Sequence, residues 1–443
     1  MRTRRRHPLR HSGVGLLVVA MGVVLVGVLV SGTVGSYSAS RGTGSPRSRA
    51  GAPGPAVACT SWLTPGADVE GALLQAGPGN VICLKPGNWG PIVLTDVAPP
   101  ANVTLAAAPG APVHIRELTI AGRADAPSAT RNLTVRGFWI DRGVQDLTDT
   151  SGGVVFRYDT IQDIRQGYGF YFDADGNGGT HAQSGVTMRD DRIDHVGECL
   201  AVDGGTATEF TFDDNVCGPG LGYGDTASTQ PGHYIEIGGI NGITVDRNVF
   251  LGPADPGVGK AGLHLNVLHI FGGAQNVDFS DNRLWHTEAG GQAILLQEGQ
   301  FDSVRIDGNL DVEAPGCQSQ LSSCPNYMIE SADAHGLSFE DNTVVGAYWG
   351  VLLTDSNERG DYPNGTGYTI THNLVIGSGG GADLSYGGCT EACTFDYNVT
   401  DDGSAQRADA THAVVHWHPR WRNAARSLPA GLPFAAGYSP SDQ

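Results

Sequence analysis

An asparagine returns in one local setting along this chain, and that recurrence limits the fold more than any other feature. Asn215 ends TFDDN, Asn248 ends TVDRN, Asn282 DFSDN, Asn309 RIDGN, Asn342 SFEDN, Asn373 TITHN and Asn398 TFDYN. The intervals are 33, 34, 27, 33, 31 and 25 residues. A more degenerate set puts Phe138, Asp159 and Asp191 in the same position. Self-similarity at this period means stacked supersecondary units, none able to bury a face alone. Short alternating runs such as ITV, VDF and YTI, bounded by Gly and Asp, are strand chemistry. After residue 50 only Asp68–Gln75 carries a helical pattern. Asn suits a coil corner because it tolerates left-handed backbone and because its amide can bond the same amide one coil away. An antiparallel sandwich or propeller is the alternative, and the scarcity of Asn-Gly hairpins speaks against it.

From Cys59 to Asp402 the chain resembles the right-handed parallel β-helix of the pectate-lyase-like superfamily. The opening GADVEGALLQAGPGNVICLKPGNWGPIVL is similar to that family's first turn, a capping helix followed by a K-P-G-x-[WY] corner at Lys85–Trp89. The resemblance implies an all-β, single-stranded right-handed parallel β-helix over residues 57–405, with a short N-terminal capping helix. Residues 406–443 are expected to form a capping tail, with Trp417 and Trp421 covering apolar edges.

Residues 1–35 read as a signal peptide or an N-terminal membrane anchor. MRTRRRHPLR is strongly positive, and Gly13 to Val34 is almost wholly apolar. Residues 36–56 read as a flexible Ser/Gly/Pro/Arg linker. The first 50 residues hold eight Arg and no acid, leaving 19 basic against 46 acidic side chains in the rest. So acidic a body excludes nucleic acid as a partner and suits a protein outside the cytoplasm, secreted or anchored to the outer face of the membrane, and monomeric. The eight cysteines fall into local couples: Cys59 with Cys83, Cys199 with Cys217, Cys317 with Cys324, and Cys389 with Cys393. In an exported chain these read as disulfides.

A β-helix stacks matching positions about 4.8 Å apart. Counting back from each corner gives CLAVDGG, HYIEIGG, VLHIFGG, ILLQEGQ and YMIESAD. Alternation turns Val202, Ile235, Ile237, Leu296 and Ile329 inward. It turns Asp203, Glu236, Gln297 and Glu330 outward in one column, with His269 joining if its strand is shifted by one residue. Like charges a coil apart need a reason, either a bound cation, with Asp203 and Glu236 holding calcium, or a raised carboxyl pKa that makes a general acid. Lys260, His264, Asn266 and His269 lie within ten residues. This stretch resembles the H-x-D-x-[LI]-Q-x-x-G-G-x-x-N pattern of secreted β-helix proteins, with His264, Asn266, His269, Gly272, Gly273 and Asn276 at the matching positions and two polar positions changed. His233 and Tyr234 are expected to border the patch from the coil below.

Two weaker signals complete the set. Asp173, Asp175 and Asn177 resemble part of a calcium loop without its closing Glu, and His412, His416 and His418 have a spacing of which either regular geometry aligns only two.

Proteins of the resembled fold act mostly on polysaccharides. The expectation is therefore an exported, lyase-like enzyme on a polysaccharide or cell-envelope glycan. Its catalytic residues are Glu236, His264, His269, Lys260 and Asp203, and its binding residues His233, Tyr234, Asn266, Gln297 and Glu330. The alternative is a non-catalytic surface module that binds such a glycan, a reading favoured by the missing polygalacturonase, pectate-lyase and epimerase motifs.

Overall fold

The structure is a computed structural model. It describes residues 54–110, 112–121, 129–146, 150–173, 183–203, 207–219, 233–252, 266–285, 293–312, 327–345, 351–353, 365–376, 384–386, 389 and 391–400. All belong to the second of two units, Met1–Ser48 and Arg49–Gln443. The apolar run at 13–34, the tail at 406–443, Lys260, His264, Asp175 and Asn177 lie outside the described residues. Among the described residues no helix is long and apolar enough to cross a membrane.

Among the described residues every ladder pairing is parallel, and the strands form a parallel β-helix. Three ladders run along it. One stacks Val103–Ala107, Ala129–Arg136, Thr150–Arg157 and Val186–Arg189, and continues coil by coil to Thr394–Asp396. The second includes Val249–Leu251, Arg283–Trp285 and Leu310–Val312. The third, on which the candidate site lies, stacks parts of Thr160–Asp173, Arg192–Asp203, Ile235–Asp246, Leu268–Ser280, Ile294–Asp307 and Tyr327–His335. Several of these strands turn a corner and serve two ladders.

The interior is a column of side chains in register. Phe212, Val245, Phe279, Ile306, Phe339, Ile370 and Phe395 stack in that order, each at most 7% exposed. Aromatic and aliphatic volumes alternate for much of this column, which lets neighbouring coils interdigitate, and each buried side chain contributes on the order of 2–3 kcal/mol. The capping helix is Val69–Leu74, started by the Asp68 carboxylate, which accepts from the Gly71 amide at 2.9 Å. Val69 and Leu73 face the core while Leu74 is exposed.

The corner asparagines form one continuous hydrogen-bonded file. The backbone N–H of Asn215 donates to Oδ1 of Asn248, and so on through Asn282, Asn309, Asn342, Asn373 and Asn398, at 2.9–3.1 Å. Each Nδ2 donates to a carbonyl of the preceding coil, as Asn248 does to Phe212 O at 2.8 Å. The degenerate positions belong to the same file: Phe138 donates to Asp159, Asp159 to Asp191 and Asp191 to Asn215. The left-handed conformation, however, falls on the residue before the corner, such as Asp214, Arg247, Asp281 and Asp341, each with φ near +55°. Asn is therefore required for its amide, which can accept and donate at once, and the backbone reversal is carried by its neighbour.

Disulfides join Cys59 to Cys83, Cys199 to Cys217 and Cys389 to Cys393, three of the four expected couples. The fourth expected couple does not join them as a finding, because both Cys317 and Cys324 lie outside the described residues.

Candidate functional site

The register of the third ladder decides which side chains meet. Ala201 pairs with Glu236, Glu236 with His269 and His269 with Leu295. Gly238 pairs with Phe271, Phe271 with Gln297 and Gln297 with Glu330. The single column expected from the sequence thus divides. Glu236 and His269 share one file, while Gln297 and Glu330 share another, two residues along the strand. Asp203 belongs with the second file, since its strand reaches Val202 opposite Ile237. The inward positions stand as expected: Val202, Ile235, Ile237 and Leu296 are buried, and so is Ile270.

The cause of the division is turn length. Ala201 and Ala207 pair with Glu236 and Ile240, so a gap of six residues faces a gap of four. His269 and Ala274, five apart, pair with the same two residues, across a register shift. A fixed count back from the corner therefore lands two residues off at Asp203 and one off at His269.

Around Glu236 lies a cleft of about 240 Å³ lined by Tyr168, Tyr171, Glu198, Ala201, Val202, Asp203 and Phe271 with Glu236 itself. Glu198 sits at the bend of its strand, next to Cys199, whose disulfide ties this bend to Cys217. It is 3% exposed. Burial, with the Glu236 charge beside it, pushes Glu198 up to about 9, against the opposing donation from the His233 backbone N–H. Burial and the charge of Asp203 also raise Glu236, while its hydrogen bond with Glu198 acts in the other direction. Two carboxyls in hydrogen-bond contact cannot both ionise at neutral pH, so the pair holds one shared proton, resting mainly on Glu198.

Opposite Glu236, Nδ1 of His269 stands 3.9 Å from its Oε1. Nε2 of His269 faces Oε1 of Gln297 at 3.3 Å. The His233 and His269 rings are 4.6 Å apart. Tyr168 and Tyr171 stack at 4.7 Å on one wall, and burial followed by Asp173, Asp203 and Tyr168 pushes the Tyr171 hydroxyl up to about 12. Phe271 lies over Gly238, where a Cβ would sit 3.0 Å from its Cζ. The cleft thus combines carboxyl groups able to exchange a proton with flat apolar faces of the kind that cover sugar rings.

Of the expected site residues, Glu236 and Asp203 line the cleft and His269 adjoins it. Gln297 touches His269. Tyr234 does not line the cleft: it is 4% exposed, and its hydroxyl donates to Leu251 O at 2.6 Å. His233 and Asn266 are buried behind the wall. The Glu330 side chain, Lys260 and His264 lie outside the described residues. Glu198, Tyr168, Tyr171 and Phe271 are not singled out by the sequence; for Glu198, alternation from Val202 places an acid inward, which is the one available signal.

Calcium takes six to eight oxygen ligands. Among the described residues, the ligand-sized group that forms is His233, Glu236 and His269, and Asp203 is not part of it. That group, two nitrogens and one carboxylate, differs from the Asp203 and Glu236 pair expected to hold calcium, whose two carboxylates both line the cleft.

No protein-family model matches the chain, and no curated protein sequence matches it. Several solved structures do. DFA-IIIase from Arthrobacter chlorophenolicus in complex with GF2 has 12% identity and a TM-score of 0.48, covering 77% of this chain and 92% of its own. A mannuronan C-5 epimerase A-module from Azotobacter vinelandii has 15% identity and a TM-score of 0.41, covering 75% and 93%. The catalytic unit of an alpha-1,3-glucanase from Streptomyces thermodiastaticus has 18% identity and a TM-score of 0.37, covering 80% and 69%. These neighbours are carbohydrate-active β-helix enzymes. The β-helix of this chain follows from its own strand pairing.

Proposed function

We propose that the protein is an exported polysaccharide-active enzyme of lyase type, working on a glycan laid across the third ladder. The observation that carries this reading is a one-proton carboxyl pair, Glu198 and Glu236, lining an aromatic-walled cleft with His269 adjoining it 3.9 Å from Glu236. A glycoside hydrolase straddles its bond with carboxyls about 5–9.5 Å apart, whereas Glu198 and Glu236 are hydrogen-bonded to each other. A proton-transfer role suits them better.

In a β-elimination, His269 takes the proton from C5 of a uronate through Nδ1. That electron pair becomes the C4–C5 double bond, the C4–O bond breaks, and the leaving oxygen takes the proton of the carboxyl pair through Glu236. His269 then returns its proton to Glu236 across their contact, and the site is restored. Asp203 sets the field at Glu236, and Gln297 holds His269 from behind. Lys260 and His264, assigned to the same patch by the sequence, enter as further candidates. A bound calcium supplies no step here.

The test is incubation with neutral and uronate polysaccharides, reading unsaturated ends by ultraviolet absorbance and reducing ends by colour. Unsaturated ends that vanish in Glu236→Gln support the proposal. Full turnover in that variant removes the site, reducing ends alone would make the enzyme a hydrolase, and binding without either product would make it a non-catalytic module.

A further inference from the structure

His233 is a member of the tightest cluster in the site, yet the scheme above gives it no task. A ring nitrogen of each histidine and an oxygen of Glu236 lie within 4.8 Å of one another. A transition metal would accept that spacing. The hydrogen bonding of His233 argues otherwise. The backbone N–H of Asn266 approaches Nδ1 of His233 at 3.1 Å. A backbone amide can only donate, so Nδ1 offers its lone pair to Asn266, and the hydrogen of the neutral ring sits on Nε2. A metal-bound histidine has the reverse polarity: it gives one lone pair to the metal and donates the other N–H to the protein.

We infer that His233 is a positioning residue, fixed as an Nε2–H donor beside Glu236 and His269, and that this cluster handles protons and is not a metal centre. The inference rests on the catalytic reading of Glu236 and His269. The lock is built from both directions. Asn266 donates to the His233 ring and accepts from the Tyr234 N–H at 2.9 Å, so two coils clamp the histidine between them. The residue is 1% exposed, so the ring sits in the interior. The backbone N–H of His233 meanwhile donates to the Glu198 carboxyl. One residue therefore sets both the proton-bearing acid, through its main chain, and the pair that uses the proton, through its ring. A donor aimed at this cluster stabilises charge on Glu236 and leaves the Nδ1 lone pair of His269 as the basic position.

The experiment uses the full chain labelled with nitrogen-15 at histidine. Its ring-nitrogen resonances are followed from about pH 5 to 8, the range in which histidines ordinarily titrate, and then under titration with zinc. A bare Nδ1 and a protonated Nε2 on neutral His233, undisturbed by zinc, are expected. A protonated Nδ1, or stoichiometric zinc binding that His233→Gln abolishes, overturns the inference. A second arm compares two variants on whichever glycan the wild type cleaves. His233→Gln keeps an acceptor for Asn266 and a donor for the cluster, whereas His233→Leu keeps neither. The leucine variant should lose about 10–100-fold in kcat with KM nearly unchanged and a displaced pH profile, and the glutamine variant should recover most of that. Equal losses in both variants would mean that the ring only fills space. If the wild type cleaves no glycan, the catalytic reading falls, and the resonance and zinc measurements still decide the state of His233.

Discussion

Glu236 and His269 are register partners on adjoining strands, and their side chains approach to 3.9 Å. Behind Glu236, the buried Glu198 holds its proton up to about pH 9. Replacing Glu198 by Gln removes that proton while keeping a donor for Glu236. In the wild type the folded form binds a proton that the unfolded chain releases near pH 4.5, so this group's contribution to stability is whole below that pH and is lost as pH rises towards 9. Denaturant unfolding across this range should show a decline in the wild type that is shallower in Glu198→Gln. Parallel curves would mean that Glu198 is ionised in the native state.

The corner file offers the same test without the cleft. Burial pushes Asp159 up to about 7 and raises Asp191 well above the usual carboxylate range, the charge of Asp159 adding to the second. An ionised Asp has no hydrogen for the carbonyl that an Asn would reach, and the protonated acid supplies one. The sign is again that of a raised group: stability falls as pH climbs from about 4 to 7. Asp159→Asn and Asp191→Asn should each raise the melting temperature at pH 8 by at least ~2 °C and leave it nearly unchanged at pH 4. Calorimetry at both pH values decides it.

In mid-file, Asn309 accepts from Asn282 and donates to Phe279 O at 2.8 Å. Asn309→Leu has similar volume and orphans both partners in the interior. A loss of about 2–5 kcal/mol in urea unfolding is expected, since each buried polar group left unmade costs about 1–3 kcal/mol. A loss under about 1 kcal/mol would show that the file is ornamental to stability.

Gly238 carries the ring of Phe271. A Cβ there would meet Cζ at 3.0 Å and Cε2 at 3.1 Å. Phe271 lines the cleft, so Gly238→Ala should tilt the ring into that space. Glycan affinity is expected to fall about tenfold, with a stability cost near or below ~1 kcal/mol. Isothermal titration and thermal unfolding read the two quantities separately; unchanged affinity would mean that Phe271 contributes no contact to the ligand.

The repeating corner is legible in the sequence because one position in each coil must accept and donate in the interior, and few side chains can do so. Even the degenerate members Phe138, Asp159 and Asp191 keep their place in the file. His269 falls opposite Glu236 as expected because its apolar neighbours, Leu268 and Ile270, have to be inside. Asp203 is misaligned because the turn that follows its strand is longer than the turn after Glu236, and a residue count cannot detect that. Glu198 escapes for a different reason: alternation from Val202 turns it inward, and an inward position reads as core although here it lines the cleft. Tyr168, Tyr171 and Phe271 come from separated stretches of chain, and only the stacked coils bring them to one cleft.

Corner-to-corner distances in the chain vary from 25 to 34 residues, yet the bonds that join the corners stay within 2.9–3.1 Å. Alignment of the coils is thus independent of their perimeter. Residues can be gained or lost between one corner and the next without moving the next rung, so the outer surface is free to be rewritten while the spine beneath it stays the same.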